Sequence, residues 1–431
     1  ADLWETFSTA SGQDVGSFMD DWIRRPGYPL VSIDWQPGDK TLQLEQRRFL
    51  NDPSLENSET EAWQVPLAAT QALSEPLLAK QKATVPIESS VENPLLFNHD
   101  GQSYFLPYYT EPAHLQQIVD GIKNDKVGVI DRLLLLDNYT MLQRGGVSST
   151  TDLLEVLQGY DHETSESVWG CMAVAIGEVR KLIEGDETSE GQLHALVGKL
   201  VQPVVNRLGW EDTSDDSAQD LRLRGLAHSI AAGAQIQSVL DEGLRRFKTM
   251  EQPSDLPAST RTVIYHIAAR HGTEADFEKL LKLHHTLINA DEKEEVAAGL
   301  ASAKDPKRYK QLLPMLTNGE VRRQDLLHWF AWLLRNRYSR EAAWQWLVET
   351  WDWIEKELSS DKTYSYFARY AGSVFSRPDE LKKFQEFFEP KKSVVGLDHE
   401  ITLGEADIRS RIAWRQRNEA TAKAWLQKHK A

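Results

Sequence analysis

The residues that could do chemistry in this chain are histidines beside acids. His399-Glu400-Ile401-Thr402-Leu403 begins like the zinc motif H-E-x-x-H but closes on Leu403. One helix face holds zinc only with two imidazoles a turn apart, so this segment is not a zinc site. His162-Glu163-Thr164-Ser165-Glu166 fails in the same way. His266 and His271 are five residues apart and leave a helix on different faces, and the adjacent pair His284 and His285 diverges. No metal ligand and no catalytic residue is therefore assigned. There is no phosphate loop, no G-x-G-x-x-G and no G-x-S-x-G. Cys171 lies in the apolar helical run 169–176 and is expected to be buried and inert.

Two other groups have unusual chemistry for their number or spacing. The chain holds 14 tryptophans, and Trp329, Trp332, Trp344, Trp346, Trp351 and Trp353 sit in helical patterns at core spacing. Helix-to-helix packing explains them, and an aromatic wall facing a ligand is the alternative. Arg335, Arg337 and Arg340 cluster in LLRNRYSR at a helix end. Arginine there complements the helix dipole. It could equally anchor a carboxylate, because its planar fork bonds both oxygens.

The bulk composition narrows the function classes. A net charge of -16 over 431 residues argues against nucleic acid as a partner, since phosphate binding needs clustered Lys and Arg. The single cysteine excludes an intramolecular disulfide and a Cys-based zinc site, and fits a reducing, cytoplasmic compartment. No apolar run approaches the length of about eighteen residues that a membrane span needs, and no signal peptide is visible. The sequon Asn138-Tyr139-Thr140 falls in a helical pattern.

The elements that must position these residues change character along the chain. Leu3, Trp4 and Phe7, then Val15, Phe18, Met19 and Trp22, recur at helical spacing. Between them Ser11-Gly12-Gln13-Asp14 reads as a stop and a new N-cap, and Pro26-Gly27 ends the second helix. Helices this short are marginal alone, so the segment is expected to be the tail of a larger helical domain. From Tyr28 to Thr110 the pattern is strand and turn. Val31, Ile33 and Trp35 alternate with polar residues, and Leu42 and Leu44 do so after the turn 37–40. Phe49 has the wrong parity, so that strand bulges or ends before it. Further strands are expected at 63–67, 84–87, 95–98 and 103–109, with Pro66 and Pro86 on edges.

From Glu111 onward helices follow one another with short loops, most carrying one apolar stripe. The expected helices include 306–315, 323–334, 341–358 and 401–426. So many cannot share one bundle core. The expected fold is mainly α: a small antiparallel β-sandwich, then a large α-solenoid of HEAT/armadillo type, curved into a bowl. The expected domains are residues 1–26, 27–110 and 111–431.

The motifs, taken in order, resemble a known family. The opening DLW…SGQDV…FMDDWIRRPGYPLVSI is similar to the pattern D-L-W…S-G-x-x-V…M-x-x-W…G-Y-P of the aminopeptidase N type of zinc aminopeptidases. Gln46-Arg47-Arg48-Phe49-Leu50 resembles its Q-x-R-F-L, and Trp63-Gln64-Val65-Pro66-Leu67 its W-x-(I/V)-P-L. Residues 131–138, DRLLLLDN, resemble D-R-x-x-L-(I/L)-x-D, and Leu208-Gly209-Trp210 with Leu221-Arg222 resembles L-G-W…L-R. Ala343-Trp344-Gln345-Trp346-Leu347 is similar to A-W-x-F-(L/V). Ile412-Ala413-Trp414, Asn418 and Trp425-Leu426 resemble the terminal I-x-W…N…W-L. Each match is short, and the ordered set spans nearly the whole chain.

The resemblance implies a C-terminal portion whose H-E-x-x-H and G-x-M-E-N motifs belong to another part of the protein. It implies no cofactor in this chain and zinc in the parent enzyme. The partners implied are the N-terminal catalytic domain of the same protein and peptide substrates. Residues 1–26 would be terminal helices of the thermolysin-like domain, and the helical region a lid and chamber over the active site. In some relatives an arginine of R-N…A-W-Q lines that chamber, and Arg335-Asn336 match it, which makes Arg335 a substrate-binding candidate. The strand that often reads G-Y-Y-R-V has no arginine here: residues 101–106 are GQSYFL. The competing expectation is a stand-alone helical-repeat adaptor with a protein partner.

Overall fold

A computed structural model describes residues 2–53, 55, 62–87, 93–361 and 363–429. The chain divides into two compact units, Ala1–Asp186 with Arg417–Lys428, and Glu187–Gln416 with the last three residues. Among the described residues the fold is mainly α, with its small sheets confined to the first unit.

The first unit opens with α1 (Asp2–Ser11) and α2 (Val15–Arg24). Gly12 leaves α1 at φ 70°, and the Asp14 carboxylate accepts from the Ser17 backbone N–H at 3.1 Å, so the stop-and-cap reading holds. Strands β1 (Pro29–Asp34) and β2 (Thr41–Arg48) pair antiparallel as the expected hairpin. Leu42, Leu44 and Gln46 face inward, and β2 stops before Phe49. The third expected strand shortens to β3 (Val65–Pro66), which pairs with an unforeseen β4 (Leu77–Leu78). Then come β5 (Lys82–Pro86) and β6 (Leu106–Tyr109). The larger sheet has the order β5-β2-β1-β6, which puts Pro86 on an edge, as its missing N–H requires.

Two strand expectations need correction. Residues 95–98 form no strand. Their backbone is satisfied by side chains and a loop: Leu96 N–H donates to Thr70 Oγ1 at 3.0 Å and Phe97 N–H to Tyr109 Oη at 3.1 Å. With those groups taken, no ladder can form. The stretch 103–109 is a strand only from Leu106, and β6 runs parallel to β1, so the sheet is mixed. The buried Gln46 side chain joins the two sheets. It donates to the carbonyls of Trp63 (2.9 Å), Leu78 (3.2 Å) and Lys80 (3.0 Å) and accepts from Trp63 N–H at 2.9 Å.

Helices α3 (Pro112–Lys123), α4 (Val129–Arg144), α5 (Thr150–Leu157) and α6 (Glu166–Leu182) complete the unit with the end of the last helix. Asn418 Oδ1 accepts from Thr150 N–H at 3.0 Å, and Trp425 Nε1 donates to Glu155 at 2.6 Å.

The second unit holds α7 (Glu187–Leu208), α8 (Ala218–Gly233), α9 (Gln237–Thr249), α10 (Arg261–His271), α11 (Glu274–Thr286), α12 (Ala290–Leu300) and α13 (Pro306–Leu312). It continues with α14 (Leu326–Arg335), α15 (Arg340–Glu349), α16 (Trp351–Leu358), α17 (Thr363–Val374), α18 (Pro378–Phe388) and most of α19 (Asp398–Lys428). The expected helix 306–315 ends at Leu312 because Pro314 disfavours helix before it. The expected helix 341–358 breaks at Thr350 into α15 and α16.

Successive helix pairs are cross-bonded at a nearly constant interval. Arg261 ion-pairs with Glu295 at 2.6 Å, and Glu274 with Arg308 at 3.2 Å, each 34 residues apart. Asn336 bonds the carbonyls of Ala301 and Ala303 at separations of 35 and 33 residues. That is stacking of equivalent two-helix repeats, the physical content of a solenoid. Its core is continuous and aromatic. Trp329, Trp344, Trp346 and Trp351 are buried in it, with Trp332 and Trp353 packed against it. Trp344 contacts Phe375, Phe387 and Phe388 edge-on at 5.1–6.0 Å. These tryptophans are core.

Candidate functional site

Helix α14 is apolar on nearly every side, LLHWFAWLLR, and ends at Arg335 because Asn336 leaves the helical region at ψ 113°. The turn that follows is fastened to its neighbours. Asn336 Nδ2 donates to Ala301 and Ala303 carbonyls at 3.0 and 2.8 Å, and Ser339 Oγ donates to Leu333 carbonyl at 2.6 Å. The three arginines of this turn separate by role. Arg337 ion-pairs with Glu190 and donates to Tyr338 Oη at 3.1 Å. Arg340 Nε donates to the Leu334 carbonyl at 3.3 Å, closing the end of α14. Arg335 is exposed, with its guanidinium carbon 5.4 Å from the centre of the Tyr370 ring. No carboxylate pairs with Arg335 among the described residues. A guanidinium held over an aromatic face keeps its fork open to an incoming carboxylate.

The histidines stay apart. The rings of His284 and His285 lie 5.8 Å apart, His284 packs edge-on against Trp329, and His285 bonds Glu320 at 2.8 Å. Among the described residues one metal-type group forms that the sequence did not suggest: His99, Asp100 and Asp131. Asp131 is buried at the start of α4. It accepts from the Asp100 backbone N–H at 2.9 Å on one oxygen and meets His99 Nδ1 at 2.8 Å with the other. Asn98 and Asp100 hold φ of 56° and 54°, so the carboxylate fastens a tight left-handed turn. His99 is the one imidazole of the group and the Asp131 carboxylate already bonds on both oxygens, so the three residues read as a turn fastener rather than a zinc centre. Cys171 is half-buried rather than buried; burial and Asp137 push its thiol up, which leaves it a poor nucleophile.

The opening helices present an apolar face. Leu3 and Phe7 of α1 and Ile23 of α2 are at least half exposed, and so is Tyr104, whose ring meets Trp22 at 6.3 Å. No residue of α2 is buried. Trp4 pairs with Phe7, and Phe18 with Trp22, each at 6.3 Å.

Residues 94–410 match the family described as the ERAP1-like C-terminal domain. The chain belongs to this family. It is 28% identical over 421 residues to aminopeptidase N of Lactococcus lactis subsp. lactis (strain IL1403), covering 95% of this chain and 49% of that protein. Aminopeptidase N of Lactobacillus helveticus is 28% identical over 429 residues, with the same shares covered. Aminopeptidase 2, mitochondrial, of Saccharomyces cerevisiae is 25% identical over 439 residues, 99% of this chain and 45% of that protein. The chain spans about half the length of these relatives.

Several of the motif residues prove to be fasteners. Arg132, next to the turn-locking Asp131, forks onto Glu163 at 2.7 and 3.1 Å. The Trp210 ring packs tilted against His228 at 4.2 Å, and Trp414 is buried. Arg335 differs from them in facing solvent. The sequence reading missed Asn336, Gln46 and Asp131 as positioning groups. Their signal was present, since each lies inside a motif quoted for the resemblance.

Proposed function

We propose that this chain forms the substrate chamber and lid of a zinc aminopeptidase that removes N-terminal residues from peptides. The observation that carries this reading is the family match over 94–410, in a chain covering about half of aminopeptidases twice its length. Nothing in the comparisons favours a stand-alone adaptor. The zinc and its H-E-x-x-H ligands belong to the N-terminal catalytic domain of the same protein, and the chain alone is inactive. The exposed face of Leu3, Phe7 and Ile23 supports a docking role for the opening helices, since a contiguous apolar patch is costly when left wet. On that ground we assign residues 1–26 to the catalytic domain, 27–110 to the β-domain and 111–431 to the helical domain. No helix of the described residues is long and apolar enough to cross a membrane. The single cysteine supports a cytoplasmic setting.

Arg335 takes the carboxylate at the far end of the peptide. Its support is an unpaired guanidinium fixed by Tyr370 and by the fastened 336–339 turn. The test is Arg335→Ala in the enzyme that includes the catalytic domain. A hydrogen bond to a charged group contributes about 1.5–3 kcal/mol, so KM for peptides of several residues should rise roughly tenfold to a hundredfold. An aminoacyl amide reporter, which has no distant carboxylate, should be unaffected. Equal loss on both substrates, or none, rejects the anchor. The isolated chain should neither retain zinc stoichiometrically nor cleave the reporter; chelator-sensitive activity in it rejects the wider reading.

A further inference from the structure

Arg270, Lys304 and Tyr338 follow one another at intervals of 34 residues. They stand at the end of α10, in the turn before α13 and in the turn before α15, so the repeat stacking brings them to one place. The Tyr338 ring centre lies 5.4 Å from the Arg270 guanidinium carbon, 6.0 Å from Lys304 Nζ and 5.0 Å from the Arg337 guanidinium carbon. Arg337 also donates to Tyr338 Oη at 3.1 Å.

The charges do not balance. Three cations meet here, and Glu190 is the acid that pairs, engaged by Arg337 through both carboxylate oxygens. Arg270 and Lys304 have no ion pair among the described residues, and Arg270 Nε is buried with no acceptor. Burial holds Arg270 below its ordinary value despite the opposing pull of Tyr338, with Arg337 adding repulsion; burial, Arg270 and Arg337 lower Lys304 in the same way, and no carboxylate is among the groups acting on either. Burial alone would raise the Tyr338 phenol; the bond from Arg337 and the surrounding cations more than offset that and lower it. Burial, Lys304 and Arg270 push neighbouring His271 down to about 4, so it is neutral at pH 7 and adds no charge. Stacking on the ring accounts for the cations' positions. It does not account for an unanswered buried donor and two surplus positive charges.

We propose that this cluster is a binding site for a small dianionic oxyanion, held by Arg270, Lys304 and the Tyr338 hydroxyl, with Arg337 fixed behind by Glu190. Two surplus cations match two negative charges, and a guanidinium, an ammonium and a phenol gathered about one ring are the donor types an oxyanion needs. Inorganic phosphate and a dicarboxylate share that chemistry.

The test is calorimetric titration of the whole chain near pH 7.5 at constant ionic strength, with inorganic phosphate in one arm and succinate in the other. Saturable one-site binding is expected against a chloride background. Binding of phosphate alone assigns a phosphate-type ligand, and binding of succinate alone a dicarboxylate. Lys304 makes no hydrogen bond among the described residues, so Lys304→Ala keeps the fold, and it should weaken binding at least tenfold. Tyr338→Phe keeps the ring and loses the donor, and should weaken it severalfold. Arg245→Ala, removing an exposed arginine paired with Glu242, should leave binding unchanged. Absence of saturable binding in both arms, or wild-type affinity in the Lys304 variant, overturns the proposal.

Discussion

Helices α17 and α19 cross with no side chain between them, at Gly372 and Gly404, and that crossing sets the position of Tyr370 behind Arg335. A Cβ at 372 would overlap the Gly404 Cα and come within 2.9 Å of its carbonyl carbon and oxygen. Ordinary contact begins at about 3.5 Å, and backbone cannot rotate aside as a side chain can. Gly372→Ala should therefore separate the helices. The new methyl favours helix by about 1 kcal/mol. Overpacking costs about 1–3 kcal/mol, and the backbone obstacle puts this site at the upper end. The net loss is then about 2 kcal/mol, roughly 4–8 °C in Tm for a unit of this size. Gly404→Ala meets the Phe384 ring at 2.9 Å and the Ala368 carbonyl at 3.3 Å, and should cost less. Gly191→Ala in α7 is exposed with nothing within 4 Å, so it gains the helix term alone, up to about 1 kcal/mol. Urea unfolding of the three variants, followed by tryptophan fluorescence, gives the ranking. If Gly372→Ala is as stable as the parent while Gly191→Ala is stabilised, the helices do not cross there and the placement of Tyr370 is wrong.

Two further outcomes follow from buried polar groups. Asp131→Ala strands the Asp100 N–H and the His99 ring at a left-handed turn and should cost about 2–3 kcal/mol in urea unfolding. Asp131→Asn, which keeps one acceptor, should cost less; a change under about 0.5 kcal/mol for the Ala variant would mean the turn holds itself. Burial pushes His114 down to about 4, so the folded state keeps this imidazole neutral while the unfolded chain takes up a proton near its ordinary 6.5. Its contribution is complete above pH 6.5 and is lost as pH falls toward 4, at up to about 1.4 kcal/mol per pH unit. His114→Gln should flatten that slope by about one proton in urea midpoints taken from pH 7.5 to 4.5; an unchanged slope would refute the assignment.

How much was legible follows from what kind of signal each element carries. Apolar periodicity and caps are local, so the hairpin at 29–48 and the helix series could be read from residues alone. The parallel entry of β6 could not, because a strand's partner depends on where the preceding loop takes the chain. Residues 95–98 misled for a related reason. Their buried apolar run is that of a strand, but Thr70 and Tyr109 had already taken its backbone donors. The break at Thr350 was hidden because both halves carry the same apolar stripe. For the site, residue type pointed to all three arginines, and only the match of Arg335-Asn336 to the family's R-N…A-W-Q separated Arg335 from Arg337 and Arg340. What removed Arg337 was Glu190, 147 residues away, a separation that no motif spans, and what removed Arg340 was the Leu334 carbonyl.

The 34-residue interval ties packing to recognition. Stacked helix pairs put each turn beside the equivalent turns of its neighbours, so residues far apart in sequence form a column at one level of the stack. One such column is structural: Asn336 closes on carbonyls at 301 and 303. Another is charged: Arg270, Lys304 and Tyr338. Arg335 precedes Asn336 by one residue, so the bonds that fasten the turn also fix where that guanidinium leaves the helix. Sequence repeats this weak leave the helix positions free to vary, provided the fasteners and small contact residues keep the interval. That freedom lets one turn of the stack expose a guanidinium, Arg335, while equivalent turns beside it carry packing and charged groups. The chemistry of the chain is therefore set at the turns, and the helices between them determine which turns meet.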